Sequence, residues 1–380
     1  MMKLYRVDIS DKKEFLETLD VDKGGRGIIQ DKMELYTIYI KDIKTPAVNI
    51  LKQDALSIGA EVASPCGVIT CKSEYSDCLL IGTKKHLKIL SKKELTQPFG
   101  LKEVAKNLQD FLSEKHFPTK IMGVLNINED SFYSGSRFAP DEALQALERL
   151  IDEGAAIIDI GAVSSRPNAE KVSEKEEFER VVELLDEIDD KRLYERAIFS
   201  IDSYAPSVVE HALKSGFKII NDITGASSDA IIKLALKYDA QLCIMHMQGT
   251  PQDMQKEPHY DDVMSEVSDF FEARIAKCEA LGLSRENIIL DVGIGFGKTL
   301  EHNLTLLANI RHFKKFGCEL LIGASRKSMI DALYPSSVEE RLPGTLAIHL
   351  KALQNGASII RCHDVAEHKQ ALNVWESIKE

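Results

Sequence analysis

From Lys120 to Glu380 the chain repeats one pattern eight times: a short apolar run rich in β-branched residues, then a longer amphipathic stretch. A two-residue period giving way to a helical one marks a parallel βα unit, because parallel strands need a crossover between them. The strand candidates are Lys120–Ile127, Ala156–Ser164, Ala197–Asp202, Lys218–Ile223, Gln241–Met247, Ile288–Gly293, Glu319–Ala324 and Ser358–His363. Helical spacing falls at Asp141–Glu153, Glu174–Ile188, Tyr204–Lys214, Ser228–Lys237, Val263–Ala280, Leu300–Arg311, Thr345–Gln354 and Ala366–Ile378. Eight units in about 260 residues are the size of a (β/α)8 barrel. An open doubly wound sheet is the alternative, and it would have to carry an unusual number of strands without closing.

Residues 1–115 follow another grammar. Glu34–Ile40 alternates like a strand, Ala47–Ala60 has helical spacing, Cys78–Gly82 and Lys85–Leu90 read as further short strands, and Leu101–Glu114 reads as a connecting helix. The expectation is an α/β protein with a small α+β domain over 1–115 and a barrel over 116–380. The first domain holds no catalytic constellation and reads as a packing or oligomerisation module.

Composition narrows the function classes. Lys and Arg total 48 against 60 Asp and Glu, a net charge of −12, the wrong sign for a broad nucleic-acid face. Acids at the start, where a signal peptide needs an apolar core, and the absence of a run of about eighteen apolar residues point to a cytoplasmic protein that does not cross a membrane. The seven cysteines are scattered, without the paired spacing of a zinc site, and read as reduced thiols.

In a barrel the C-terminal ends of all eight strands meet on one face. Here those ends carry Asn126, Ser165-Arg166, Asp202, Asn221-Asp222, His246 with Gln248, Asp291, Ser325-Arg326-Lys327, and Arg361 with His363-Asp364. Any one of these reads equally well as a helix cap or turn residue. Eight in succession imply a polar ligand, since buried polar groups must be paired. Asp202, Asn221 and Asp291 suit a flat heterocycle such as a pterin or guanine-like ring, and Arg166, Lys327, Arg361 and His363 suit phosphate or pyrophosphate oxygens. Asn126 could hold Mg²⁺ through one side-chain oxygen, its other ligands coming from water and substrate. Gly293-Ile294-Gly295-Phe296-Gly297-Lys298-Thr299 fails the P-loop spacing by one residue and reads as a tight loop that lets backbone and Phe296 approach the ligand. The polar segment 128–137 is long enough to act as a lid.

At these positions the chain resembles dihydropteroate synthase, the folate-pathway enzyme inhibited by sulfonamides. The resemblance covers about 117–380 and rests on Met122-Gly123-Val124-Leu125-Asn126, Asp130-Ser131-Phe132, Ile158-Asp159-Ile160-Gly161, Ser164-Ser165-Arg166-Pro167, Ile220-Asn221-Asp222-Ile223, Met245-His246-Met247-Gln248-Gly249, Gly295-Phe296-Gly297-Lys298, Ser325-Arg326-Lys327-Ser328 and Arg361-Cys362-His363-Asp364-Val365. It implies a transferase that condenses 6-hydroxymethyl-7,8-dihydropterin diphosphate with 4-aminobenzoate, with Mg²⁺. In its terms Asp202, Asn221, Asp291 and Lys327 hold the pterin. Asn126 with Mg²⁺, Arg361 and His363 hold the diphosphate. Asp130, Ser165, Arg166, Phe296 and Ser328 complete the aminobenzoate side, and the barrel helices pair in a homodimer. Departures such as Asn128-Glu129, where the family commonly has Thr-Pro, crowd the aminobenzoate side. Two other readings keep the pterin: a methyltetrahydrofolate-dependent methyltransferase, which releases no pyrophosphate, and a non-catalytic pterin-binding protein.

Overall fold

The computed structural model describes residues 2–379 except 6, 10, 128–139, 164–171, 251 and 252. The chain divides into two compact units, Met1–Glu114 with Glu376–Glu380, and Lys115–Trp375.

The first unit runs α1 (Lys12–Thr18), α2 (Lys23–Met33), β1 (Leu35–Lys44), α3 (Thr45–Ile58), β2 (Glu61–Ala63), β3 (Tyr75–Thr83), α4 (Lys84–Lys93) and α5 (Leu101–Leu112). Its antiparallel sheet has the order β1-β3-β2. Inward residues of the sheet, such as Val62, Cys78 and Leu80, pack with Val48 and Leu51 of α3, Leu87 and Leu90 of α4, and Leu101 and Leu108 of α5. The segment Lys85–Leu90, expected as a strand, is helix instead. Leu87, Leu90 and Ser91 recur at helical spacing on the buried face, and the His86 ring accepts the Thr83 N–H at the helix start, 3.2 Å. The helix α2, which carries Gly24, Gly25 and Gly27, has no buried residue and left little sequence signal.

The second unit is the expected barrel: eight parallel strands closed in the order β10-β11-β4-β5-β6-β7-β8-β9. They are β4 (Lys120–Asn126), β5 (Ile157–Gly161), β6 (Ile198–Asp202), β7 (Ile219–Asp222), β8 (Gln241–Met245), β9 (Ile288–Asp291), β10 (Glu319–Ile322) and β11 (Ile359–Cys362). Between and after them lie α6 (Pro140–Asp152), α7 (Glu174–Asp190), α8 (Pro206–Lys214), α9 (Asp229–Lys237), α10 (Val263–Ala280), α11 (Leu300–Ala308), α12 (Ser328–Leu333), α13 (Leu342–Gln354) and α14 (Val365–Lys379). Several starts are capped by short polar side chains, such as Ser173 for α7 and Asp262 for α10.

The strand period places the site. Met122, Ile157, Ile219, Cys243, Ile289, Leu321 and Ile359 form one apolar layer inside the barrel. Side chains two residues further along a strand face the same way. The next positions toward the C-terminal mouth are therefore Asp159, Asn221, Asp291 and Arg361, together with Val124, Met245 and, just past β10, Gly323. An apolar floor thus carries four polar or charged side chains directly above it. Polar groups at the opposite mouth are paired with one another: Lys120 Nζ meets a Glu319 carboxylate oxygen at 2.8 Å. Among the described residues, no helix is long and apolar enough to cross a membrane. None of the seven cysteines is in a disulfide.

Candidate active site

Asp159 is the hub of the polar cluster. It is 0% exposed. Its Oδ1 accepts from Ser200 Oγ at 2.6 Å. Its Oδ2 accepts from Asn221 Nδ2 at 2.9 Å and from Arg361 Nε at 2.6 Å. Arg361 Nη2 donates to Asp202 Oδ2 at 2.7 Å, so one guanidinium joins acids from two strands. The pairing of Asp159 with Ser200 and of Asp202 with Asn221 in the strand register brings β5, β6 and β7 together at this level. Burial pushes the Asp202 carboxyl up to about 7, Asp159 adds to the push, and Arg361 opposes it. A Cβ built on Gly161 would lie 3.6 Å from both Asn126 Oδ1 and Asp202 Oδ2, so the Asn126 amide oxygen borders the same cluster.

Across the mouth, Asp291 ends β9 and its Oδ1 accepts the Gly293 N–H at 2.8 Å. Burial raises its carboxyl, against the pull of that N–H and of Lys327, Arg361 and Lys298. The glycine loop that follows is held by side chains from several elements. Lys298, 3% exposed, points its Nζ at the carbonyl oxygens of His246, Gly293 and Phe296 at 3.2, 3.1 and 3.0 Å, and at His246 Nδ1 at 3.0 Å. Tyr260 Oη donates to the Gly297 carbonyl at 2.8 Å and Gln255 Nε2 to that of Gly295 at 2.7 Å. Gly293 must be glycine: its φ is +66° and a Cβ there would fall 2.0 Å from the His246 carbonyl oxygen. The loop presents Phe296 as a platform, with Lys327 Nζ 3.9 Å from the ring centroid. A Cβ on Gly295 would approach Lys327 Cδ to 3.2 Å, so that glycine admits the lysine stem. Burial lowers Lys298 to about 7, and the His246 ring to about 3.

Next to Arg361, Ser325 Oγ lies 2.9 Å from His363 Nδ1 and accepts the His363 N–H at 3.3 Å. The serine hydroxyl has two lone pairs and one hydrogen, so this contact is compatible with either tautomer of the His363 ring.

Of the residues singled out in the sequence, Asp202, Asn221 and Arg361 belong to one hydrogen-bonded cluster bordered by Asn126. Asp291, Phe296 and Lys327 gather at the β9 and β10 ends. Ser328, exposed, begins α12 directly after Lys327, and exposed His363 follows β11. Asp130, Ser165 and Arg166 lie outside the described residues. Other ring members serve the loops. Asp222 accepts from Thr224 N, Thr224 Oγ1 and Ala226 N at 2.7, 2.6 and 3.0 Å, and Gln248 pairs with the His259 backbone at 2.8 and 3.1 Å. Arg326 forms a two-pronged ion pair with Asp364 at 3.0 and 2.7 Å. Sequence reasoning passed over Asp159 and Lys298. The available signal was a charge within an otherwise apolar strand, Ile157-Ile158-Asp159-Ile160, which must be paired if buried.

This arrangement, acids and an amide on an apolar floor beside a guanidinium and a lysine-covered aromatic ring, fits a flat polar heterocycle carrying an anionic arm. The chain belongs to the pterin-binding family: the family model described as pterin binding enzyme matches residues 122–363. Its relatives within that family are dihydropteroate synthases. The Escherichia coli K12 dihydropteroate synthase is 42% identical over 258 residues, 68% of this chain and 90% of the relative. A Helicobacter pylori protein named bifunctional dihydropteroate synthase/dihydropteroate reductase is 41% identical over 362 residues, 94% of this chain and 95% of that protein. Among solved structures, Xanthomonas albilineans dihydropteroate synthase in complex with 7,8-dihydropteroate superposes with a TM-score of 0.61 at 32% identity, over 69% of this chain and 94% of that one.

Proposed function

We propose that this chain is a transferase joining 6-hydroxymethyl-7,8-dihydropterin diphosphate to 4-aminobenzoate, yielding 7,8-dihydropteroate and pyrophosphate. The observation that carries it is the Asp159–Asn221–Arg361–Asp202 cluster beside Asp291 and Lys327, in a chain of this family. Asp202, Asn221 and Asp291 offer acceptors and one amide donor to the edge of the pterin, and Lys327 with Phe296 covers a face of the site. Arg361 and His363 stabilise the negative charge that grows on the diphosphate as the exocyclic C–O bond breaks. The aryl amine then attacks the exocyclic carbon, whose positive charge the pterin delocalises, and no covalent enzyme intermediate is needed. Asp130, Ser165, Arg166 and Ser328 are assigned to the aminobenzoate side on their motifs alone.

The chemistry near Asn126 fits Mg²⁺: one neutral side-chain oxygen bordering Asp202 suits an ion that draws most of its ligands from water and phosphate. Asn126 would hold it, and when bound it neutralises part of the departing diphosphate's charge. The test is to incubate the purified chain with both substrates, with and without Mg²⁺ and a chelator. Equimolar dihydropteroate and pyrophosphate, lost on chelation, are expected. Pterin binding without pyrophosphate release would favour a methyltransferase or a binding protein instead. A cytoplasmic homodimer is part of the proposal, and sedimentation of the purified chain at the monomer mass would refute the dimer.

A second activity rests on coverage. The relative whose name adds dihydropteroate reductase matches 94% of this chain, whereas the E. coli relative, named for the synthase alone, matches 258 residues, about the length of the barrel unit. We assign a dihydropteroate reductase activity to the chain, with the Met1–Glu114 unit contributing to it. Tetrahydropteroate formed from dihydropteroate and a reduced nicotinamide dinucleotide by the intact chain is the expected result; its absence would refute the assignment.

A further inference from the structure

Two buried histidines lie outside the site as described. His349 in α13 and His368 in α14 are each 1% exposed, with His349 Nδ1 2.8 Å from His368 Nε2. Their partners fix both tautomers. The Ala324 N–H donates to His349 Nε2 at 3.1 Å, so that nitrogen bears no hydrogen. The His349 hydrogen is therefore on Nδ1, which donates to His368 Nε2. The His368 hydrogen is then on Nδ1, which donates to the Asp364 carbonyl oxygen at 2.6 Å. Three hydrogen bonds run in one direction through two neutral rings. Burial lowers both rings, His349 to about 3 with His368 contributing, which agrees with neutrality.

The two backbone groups so joined belong to the two halves of the site. Ala324 directly precedes Ser325-Arg326-Lys327-Ser328, the loop on the pterin side. Asp364 directly follows Arg361-Cys362-His363, the segment on the diphosphate side. Two other ties connect the same segments, Arg326 to Asp364 and Ser325 to His363, but both are partly open to solvent. The histidine bridge is the most buried of the three, with its Ala324–His349 and His349–His368 links buried. Strands β10 and β11 pair only through Leu321↔Ile359 and Ile322↔Ile360, so beyond Ile322 side chains must keep these segments in register.

We propose that His349 and His368 are positioning residues for the synthase reaction: their bridge sets the distance between the pterin-binding loop after β10 and the diphosphate-binding segment after β11. This rests on the proposed function. A ligand spanning two half-sites gains affinity over its fragments only when the halves stand at the right separation. Loss of the bridge should therefore penalise the whole pterin diphosphate and spare each fragment.

The test titrates the full-length chain with three probes in the presence of Mg²⁺: the pterin diphosphate, the unphosphorylated 6-hydroxymethyl pterin, and inorganic pyrophosphate. For His349→Phe and His368→Phe the affinity for the pterin diphosphate should fall about tenfold or more, with kcat falling too, while both fragments bind within a few fold of wild type. His349→Gln, whose amide presents an acceptor to Ala324 and a donor to His368, should recover most of the loss. Equal weakening of all three probes, or none of any, would overturn the proposal. Should a phenylalanine variant not fold, nitrogen NMR of the histidine-labelled wild type decides: both rings are expected neutral with hydrogen on Nδ1, and hydrogen on His349 Nε2 or a charged ring would overturn the bridge. A wild type that binds the pterin diphosphate no more tightly than its fragments would instead overturn the proposed function, and the positioning role with it.

Discussion

Replacing Asp159 with asparagine removes one charge from the centre of the site and keeps its shape. The wild-type carboxylate accepts from Ser200 on one oxygen and from Arg361 and Asn221 on the other. An asparagine can turn its NH2 toward Ser200, whose hydroxyl then accepts, and leave its carbonyl oxygen facing Arg361 and Asn221. The hydrogen bonds persist in neutral form, and the Coulomb attraction is lost. Two unit charges about 4 Å apart at an effective dielectric near 20 attract by about 4 kcal/mol. Removing one partner of a buried pair costs about 3–5 kcal/mol. Arg361 keeps Asp202 at 2.7 Å, so the expected loss is smaller, about 2–3 kcal/mol. For a unit of this size that is a fall of about 5–10 °C in melting temperature. A second effect runs the other way. Arg361, released from one of two carboxylates, offers more positive potential to an incoming anion, so inorganic pyrophosphate should bind several-fold more tightly as stability falls. Calorimetric melts and pyrophosphate titrations at one ionic strength check both. An unchanged melting temperature, or anion affinity falling together with stability, would refute the reasoning that carboxylates and anion compete for Arg361.

Glu94 in the first unit is 0% exposed, and burial, with Asp54 next to it, raises its carboxyl from 4.5 to about 7. The folded chain therefore holds the proton longer than the unfolded chain, and stability should decline as pH rises from about 4.5 to 7; Glu94→Gln should flatten that slope in denaturant melts and stabilise the protein above pH 7, and an unchanged slope would contradict this. Lys298→Met leaves three carbonyl oxygens without their ammonium partner and should loosen Phe296, raising the aminobenzoate KM about tenfold or more while pterin affinity changes little; steady-state kinetics with each substrate varied decides it. Gly293→Ala, which would force a Cβ to 2.0 Å from the His246 carbonyl oxygen at positive φ, should cost about 3 kcal/mol or more and abolish turnover; wild-type kinetics in the purified variant would be inconsistent with the loop geometry.

The barrel was legible because each strand and its crossover helix differ in hydrophobic period, and that difference survives in a single sequence. The strand-end acids Asp202 and Asp291 were legible for the same reason, since a charge that closes an apolar run is visible. Asp159 stands two residues before its strand end, inside a run that reads as core, and its importance comes from partners on three other strands. Lys298 was hidden by a loop whose glycines invite a phosphate-binding reading, although its ammonium binds the loop's own carbonyls. His349 and His368 look like ordinary members of amphipathic helices; only the contact between α13 and α14 reveals the bridge. In the first unit, the Lys85–Leu90 run, Lys-His-Leu-Lys-Ile-Leu, mixes polar and apolar residues over only six positions, too few to separate a strand from the exposed-buried rhythm of α4.

In the proposed reaction, one mouth of the barrel grips a pterin and its diphosphate side by side. A crystal structure of the chain with the pterin diphosphate bound tests it most directly. The bicyclic ring should lie against Asp202, Asn221, Asp291 and Lys327, with the diphosphate within hydrogen-bond reach of Arg361 and His363. A ligand seated elsewhere, or a diphosphate turned away from Arg361 and His363, would contradict it.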